Sequence, residues 1–255
     1  MKTQSLKCKF KNEGFDEFLS LLDDVSKIDD VVKLKISSDK IFMYSMKGKD
    51  SIILAFKNYR IDTEDFIEKL DLSEDIDIII PNAKKFVKNL KFIDIKENID
   101  LTLKVKEMSD GGLETRGFEV KNKKLKIKWL TAEQYEIKDI QYESLMGLLD
   151  IKKENLNFDV NRNDFEDIKK LANINGSELI EILSNKGTVT MSEHSSWEME
   201  VDKIESELNI NYNVNKNLTK FINDGSEPVK FHVFPNFLLI RDSVSNVMVS
   251  FEQSY

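Results

Sequence analysis

Apolar and polar positions along this chain fall into one arrangement four times: a short alternating strand, an Asn, then apolar residues at helical spacing. The copies are Cys8-Lys-Phe10-Lys-Asn12, Ile78-Ile-Ile80-Pro-Asn82, Asn157-Phe158-Asp-Val160-Asn161 and Asn211-Tyr212-Asn-Val214-Asn215. The helical faces that follow are Phe15, Phe18, Leu19 and Leu22; Phe86, Val87 and Leu90; Phe165, Ile168 and Leu171; and Leu218, Phe221 and Ile222. Asn is a favoured N-cap because its side-chain oxygen accepts from an otherwise orphaned backbone N–H. Each Asn is therefore expected to start a helix. Two copies lie in each half, which reads as an internal duplication.

Strands fill the intervals. Val31 to Ile36, Lys40 to Met46 and Ser51 to Phe56 follow the first helix. Leu101, Leu103 and Val105, and then Leu125, Ile127 and Trp129, alternate with polar residues after the second. Such alternation marks a strand with one buried and one wet face. In the second half strands are expected at 178–184, 187–192, 197–204, 207–214, 229–234, 237–241 and 246–251. Asp110-Gly111-Gly112 reads as a hairpin turn, and Asn185-Lys186-Gly187 and Asn223-Asp224-Gly225 as turn or helix-stop signals. The expected fold class is α+β: duplicated strand–helix–strand-run units, with helices on one side of antiparallel sheets. We divide the chain into an N-terminal domain (1–132), a connector (133–152) with a short helix from Tyr142 to Leu149, and a C-terminal domain (153–255).

Composition narrows the function. Forty per cent hydrophobic and 33% charged residues are globular values, not those of disorder. The net charge of -8 means that a nucleic-acid role cannot rest on overall basicity. Cys8 is the one cysteine, which excludes an intramolecular disulfide and a thiol metal cluster and fits a reducing cytoplasm. The N-terminus lacks the apolar core of a signal peptide, and no apolar run approaches the ~20 residues of a membrane span.

Charge is unevenly divided among the helices. Lys84, Lys85, Lys88 and Lys91 oppose the apolar face of the second helix, with no acid among residues 82–93. Two of these cations sit in the first turn, where the helix dipole disfavours them by ~0.3–1 kcal/mol. A broken local rule without evident gain marks a functional surface; the competing reading is a merely solvated lysine-rich face. The fourth helix carries Lys216 and Lys220. The third mixes Arg162, Lys169 and Lys170 with Asp164, Glu166 and Asp167, and the first is acidic through Asp16, Glu17, Asp23 and Asp24.

A duplicated unit of this length resembles a DNA polymerase sliding clamp, most of all the two-domain trimeric clamps of tailed phages and, more distantly, those of eukaryotes and archaea. The likeness covers nearly the whole chain. It is carried by Phe158-Asp-Val-Asn-Arg-Asn-Asp-Phe165 through Lys170-Leu-Ala-Asn-Ile174, the strand Glu178 to Leu183, and Lys128-Trp129-Leu-Thr-Ala-Glu133. The closing run Pro228-Val-Lys-Phe-His-Val, Phe237-Leu-Leu-Ile240 and Val247-Met-Val-Ser-Phe251 adds to it. The resemblance implies a non-enzymatic homotrimeric ring in the (host) cytoplasm, needing no cofactor. Duplex DNA would thread it without sequence readout, a polymerase would be tethered to it, and an ATP-dependent clamp loader would open it. Its implied DNA contacts are Lys84, Lys85, Lys88, Lys91, Arg162, Lys169, Lys170, Lys216 and Lys220. The subunit contact would pair an edge strand at 113–120 or 123–129 with one at 196–203. A groove for partner peptides maps to Asp39, Ile41, Leu130, Tyr135, Pro235, Val249 and Phe251.

Two other readings stand beside this one. The first is a monomeric or hetero-oligomeric scaffold of the same fold, without self-pairing edges. The second is a metal-dependent nuclease using Asp62, Glu64 and Asp65, although that run also reads as a helix start with Asp62 as cap. His194 and His232 belong to no catalytic motif, and His194-Ser195-Ser196 lacks a nucleophile elbow and a third partner. No glycine-rich phosphate loop is present. Cys8 reads as a small core residue.

Overall fold

The computed structural model describes residues 3–49, 52–68, 75–107, 113–132, 140, 142–148, 154–176, 178–193, 196–206, 208–241 and 245–252. The chain divides into two compact units: Met1–Met46 with Lys57–Tyr142, and Lys47–Phe56 with Glu143–Tyr255.

The first unit is built on β1 (Thr3–Phe10), α1 (Asn12–Val25), β2 (Val31–Ile36), β3 (Lys40–Lys49) and β4 (Ile52–Asp62). A single helical turn α2 (Thr63–Phe66) and β5 (Ile67–Glu68) follow, then β6 (Ile76–Pro81), α3 (Ala83–Leu90), β7 (Ile99–Glu107), β8 (Leu113–Lys121) and β9 (Lys126–Leu130). The strand before each helix pairs antiparallel with the strand after the other helix: β1 with β7, and β6 with β2. This exchange sets α1 and α3 side by side over one core. Alternation decides what that core contains. Leu101, Leu103 and Val105 of β7 are at most 5% exposed, while Thr102 and Lys104 between them face water. From the helices come Phe15, Phe18, Leu19, Leu22, Phe86, Val87 and Leu90, all buried. Each such side chain contributes about 1.5–3 kcal/mol of transfer free energy. Phe86 meets Phe118 edge-on at 4.8 Å, which fixes α3 against β8.

The second unit repeats the plan. After the short helix α4 (Tyr142–Leu148) come β10 (Leu156–Val160), α5 (Arg162–Ile174), β11 (Leu179–Asn185), β12 (Thr188–Glu193), β13 (Trp197–Lys203) and β14 (Ile210–Asn215). Then come α6 (Leu218–Phe221), β15 (Val229–Val233), β16 (Phe237–Arg241) and β17 (Ser245–Glu252). The exchange recurs: β10 pairs with β15 and β14 with β11, antiparallel. Phe158 and Phe231 stack at 5.0 Å beneath Phe165 of α5. Lys47–Phe56, the end of β3 and the start of β4, belongs to this unit, and its Ile53 carbonyl accepts from the Ser250 hydroxyl of β17. The fold is thus α+β, with helices packed on antiparallel strands in two related units.

The capping expectation holds at one Asn of the four. Asn161 accepts from the Asn163 N–H at 3.0 Å and starts α5. Asn12 is already helical, behind Lys11. Asn82 occupies the N-cap position in the left-handed region (φ 52) without a side-chain cap bond. Its task passes to Asp30 in the α1–β2 loop, whose carboxylate accepts from the Lys84 N–H at 2.8 Å and whose carbonyl accepts from the Ala83 N–H at 2.9 Å. Asn215 ends β14 and accepts from the Asn217 N–H at 3.1 Å, so α6 starts later and is a single turn. Asn185-Lys186-Gly187 is a tight β11–β12 turn with positive φ at Lys186 (49) and Gly187 (83). Asp110-Gly111-Gly112 lies outside the described residues.

Candidate functional site

α3 buries Ala83, Phe86, Val87 and Leu90 and turns Lys84, Lys85 and Lys88 to solvent. Among the described residues none of these three lysines has an ion-pair partner. Lys91 lies 3.6 Å from Asp23 of α1. The unfavourable first-turn cations are offset by the Asp30 carboxylate at the helix start. The α3 face is therefore a surface of free positive charge on a rigid helix.

The other cations of the set are placed differently. Arg162 donates from Nε to the Glu227 carbonyl at 3.0 Å and from Nη1 to the Asn223 carbonyl at 2.9 Å. It thereby staples the start of α5 to the loop after α6. Lys169 bridges Glu166 at 3.1 Å and Asp224 at 2.8 Å. Burial works against its charge, but the two carboxylates outweigh burial and raise its pKa. Lys170 pairs with Asp167 at 2.8 Å, which raises its pKa too. Lys216 is half-buried, and Lys220 is exposed and donates to Asn217 at 2.9 Å. The cations of α5 are thus engaged within their own unit, whereas those of α3 are not.

The acidic first helix is less acidic outside than its sequence suggests. Asp24 points inward, accepting from the Tyr59 hydroxyl at 2.6 Å and pairing with Lys27 at 2.8 Å and with the fully buried Lys57. Burial raises the Asp24 pKa, but the Lys57 charge and hydrogen bonds from Lys27, Lys57 and Tyr59 prevail and lower it. A second buried lysine, Lys33 of β2, pairs with Asp77 of β6 at 2.9 Å. Lysines in strands read as solvent-facing from sequence; only the tertiary partner identifies these two as buried.

The groove positions fall on both wet and buried faces. Asp39, Leu130 and Pro235 are exposed, Leu130 at 81%. Asp39 accepts from the Ser37 hydroxyl at 2.7 Å, which lowers its pKa. Phe251 is half-buried, stacked on Tyr212 at 4.0 Å. Ile41 and Val249 sit on the core faces of β3 and β17, at 0% and 2% exposure, so their side chains are not available to line a groove. Tyr135 lies outside the described residues.

Strand position separates the two expected edges. β8 pairs with β7 on one side and β9 on the other, so residues 113–120 are interior. β9 pairs with β8, and β13 with β12; among the described residues neither has a ladder on its second side. β9 alternates exposed Lys126, Lys128 and Leu130 with half-buried Ile127 and Trp129. β13 alternates half-buried Trp197, Met199 and Val201 with exposed Glu198 and Glu200.

Asp62 heads α2 without capping it, because its carboxylate pairs with Lys40. Among the described residues no three metal-capable side chains converge. His232 contacts Glu154 at 2.6 Å, and His194 and Ser195 lie outside the described residues. Burial pushes the Cys8 thiol up to about 12. Among the described residues no helix is long and apolar enough to cross a membrane.

No family model matches this sequence, and no curated protein does. Solved structures do. The Helicobacter pylori beta clamp bound to a DNA ligase peptide matches with a TM-score of 0.65 at 15% identity, over 98% of this chain and 67% of that one. The DNA polymerase III subunit beta of Pseudomonas aeruginosa matches with a TM-score of 0.63 at 12% identity, over 100% of this chain and 65% of that one. The DNA polymerase III beta chain of Streptococcus pneumoniae matches with a TM-score of 0.63 at 13% identity, over 98% and 65%. The likeness establishes the clamp fold, and this chain spans about two thirds of the length of those chains.

Proposed function

We propose that this protein is a sliding clamp: a non-enzymatic ring that encircles duplex DNA and tethers the replicative polymerase. The observation that carries the reading is the α3 face, with Lys84, Lys85 and Lys88 exposed and unpaired on a clamp fold. Sliding needs phosphate contacts that are numerous, weak and exchangeable, and lysines without fixed partners provide them. Local potential steers DNA even when net charge is -8. The cations of α5 and α6 are weaker contributors to this field, with α3 leading.

Ring closure by three copies, as in the two-domain phage clamps, is the assembly we favour. Its support is the complementary pair of edges. Laid beside β13 of a second copy, β9 sets Ile127 and Trp129 against Trp197, Met199 and Val201 on one face. On the other face Lys126 and Lys128 then meet Glu198 and Glu200. Partner peptides and an ATP-driven loader belong to the same reading.

Light scattering over a concentration series tests it. The expected mass is three times 29.6 kDa. A monomer persisting at high concentration overturns the self-closed ring and leaves a scaffold, or one subunit of a mixed ring. Stimulation of polymerase processivity tests the tether.

A further inference from the structure

The strands β1, β7, β8 and β9 present a second basic surface, on the side away from α1 and α3. Their register builds it row by row. Lys9, Asp100, Lys121 and Lys126 lie side by side across the strands, and Lys7, Thr102, Glu119 and Lys128 form the next row. Lys104 follows on β7, beside Ser5 and Gly117. The alternate positions Cys8, Phe10, Leu101, Leu103, Phe118 and Val120 are buried in the core. Six exposed lysines thus share a face with two carboxylates, on a chain of net charge -8; the proposed β9–β13 seam would engage Lys126 and Lys128, which leaves Lys7, Lys9, Lys104 and Lys121 to carry the site. Glu119 is already taken by Lys126 at 2.8 Å. Among the described residues Lys7, Lys9, Lys104, Lys121 and Lys128 have no ion-pair partner. Lys121 and Lys126 are direct cross-strand neighbours, an arrangement that destabilises a sheet. A depression of about 390 Å³ lies within the patch, lined by Lys7, Lys9, Asp100, Thr102, Glu119 and Lys121.

The chemistry selects the ligand. A basic stripe on one face is the electrostatic footprint of a nucleic-acid backbone. Lysines two residues apart on a strand are separated by ~6.8 Å, twice the 3.4 Å rise per strand residue. That spacing is commensurate with the ~3.4 Å axial charge spacing of one duplex strand. The two rows carry no aromatic side chain, so unstacked bases would find no platform. We propose that this sheet face is a second duplex DNA site, external to α3, binding the phosphate backbone without sequence preference. The β8 strand beneath it packs through Phe118 on Phe86 of α3, so core separates the two basic surfaces. A duplex lying on α3 cannot also touch the sheet face.

The test measures binding of a labelled 20-base-pair duplex to the full chain by fluorescence anisotropy across a salt series. The sheet variant carries Lys7→Gln, Lys9→Gln and Lys121→Gln; the helix variant carries Lys84→Gln, Lys85→Gln and Lys88→Gln. Each lost phosphate contact lowers the slope of log K against log [salt] by about 0.9. The sheet variant is expected to lose about 2–3 in slope and at least tenfold in affinity at ~50 mM salt, with the far-ultraviolet spectrum unchanged. The combined variant is expected to lose more than either alone. A sheet variant that binds duplex as the parent does, while the helix variant weakens, overturns this site and leaves the clamp reading standing. Binding of polyglutamate that the sheet variant loses, with duplex binding unchanged, also overturns it and gives the face to an acidic polypeptide.

Discussion

Reversing charge on one edge of the proposed seam gives the sharpest test of assembly. The perturbation is Lys126→Glu with Lys128→Glu on β9. Opposite charges facing across strands contribute roughly 0.2–1 kcal/mol per pair, and like charges cost a similar amount. Two pairs per seam change sign, so each seam weakens by about 1–4 kcal/mol, or roughly 5- to 900-fold in association. Lys126 is already held by Glu119 at 2.8 Å and Glu200 by Lys203 at 3.2 Å, so the change falls toward the lower end of that range. Sedimentation velocity at micromolar protein and ~50 mM salt should show the trimer falling to monomer. Glu198→Lys with Glu200→Lys in the same chain should restore it, because both edges have then exchanged sign. At ~1 M salt the three proteins should converge, since the Debye length falls to about 3 Å. A reversed β9 that leaves the mass unchanged at low salt, or a double swap that fails to rescue it, refutes the β9–β13 pairing.

Four further outcomes follow from other contacts in the structure. Lys84→Glu with Lys88→Glu should reduce polymerase stimulation and leave the assembly mass unchanged, whereas Arg162→Ala should lower stability by about 1–3 kcal/mol through loss of its two carbonyl bonds, read by urea denaturation, with little effect on DNA. Asp24→Asn should cost about 3–5 kcal/mol by leaving Lys57 buried without its carboxylate; because the folded Asp24 pKa is lowered, that difference is full above the ordinary value of about 3.9 and shrinks as pH falls below it, so parent and variant melts at pH 7 and pH 3 should converge at the lower pH. Gly14→Ala should lower the melting temperature, since a Cβ there would stand 2.5 Å from the Asp65 carbonyl oxygen, and overpacking of about 1–3 kcal/mol exceeds the gain in helix propensity of about 1 kcal/mol.

The repeat was legible because it rests on local alternation. The Leu101-x-Leu103-x-Val105 strand and the Phe15, Phe18, Leu19, Leu22 face are periodic enough to place both in the core. Capping was less legible, because a cap can be supplied from elsewhere: Asp30 reaches α3 across 54 residues of sequence. Buried lysines were invisible for the same reason. Lys33 and Lys57 look like solvent-facing strand residues until Asp77 and Asp24 appear opposite them. In the groove set, Ile41 and Val249 failed on parity, since one residue along a strand decides core against surface. The lysines of α3 were legible because no acid lies nearby in sequence, and Asp23, the acid near Lys91, stands 3.6 Å away.

Counting cations misjudges such a surface; what matters is how many remain uncommitted. α5 carries Arg162, Lys169 and Lys170, yet all three are bound to carbonyls or carboxylates of their own unit. Moving them to a phosphate would break those contacts first, so their net gain from DNA is small. The lysines of α3 have no such contacts to give up, and their cost of binding is confined to side-chain ordering. On the sliding role proposed above, reinforcing α5 to match α3 is expected to slow movement along a duplex, because each phosphate contact must stay weak enough to exchange.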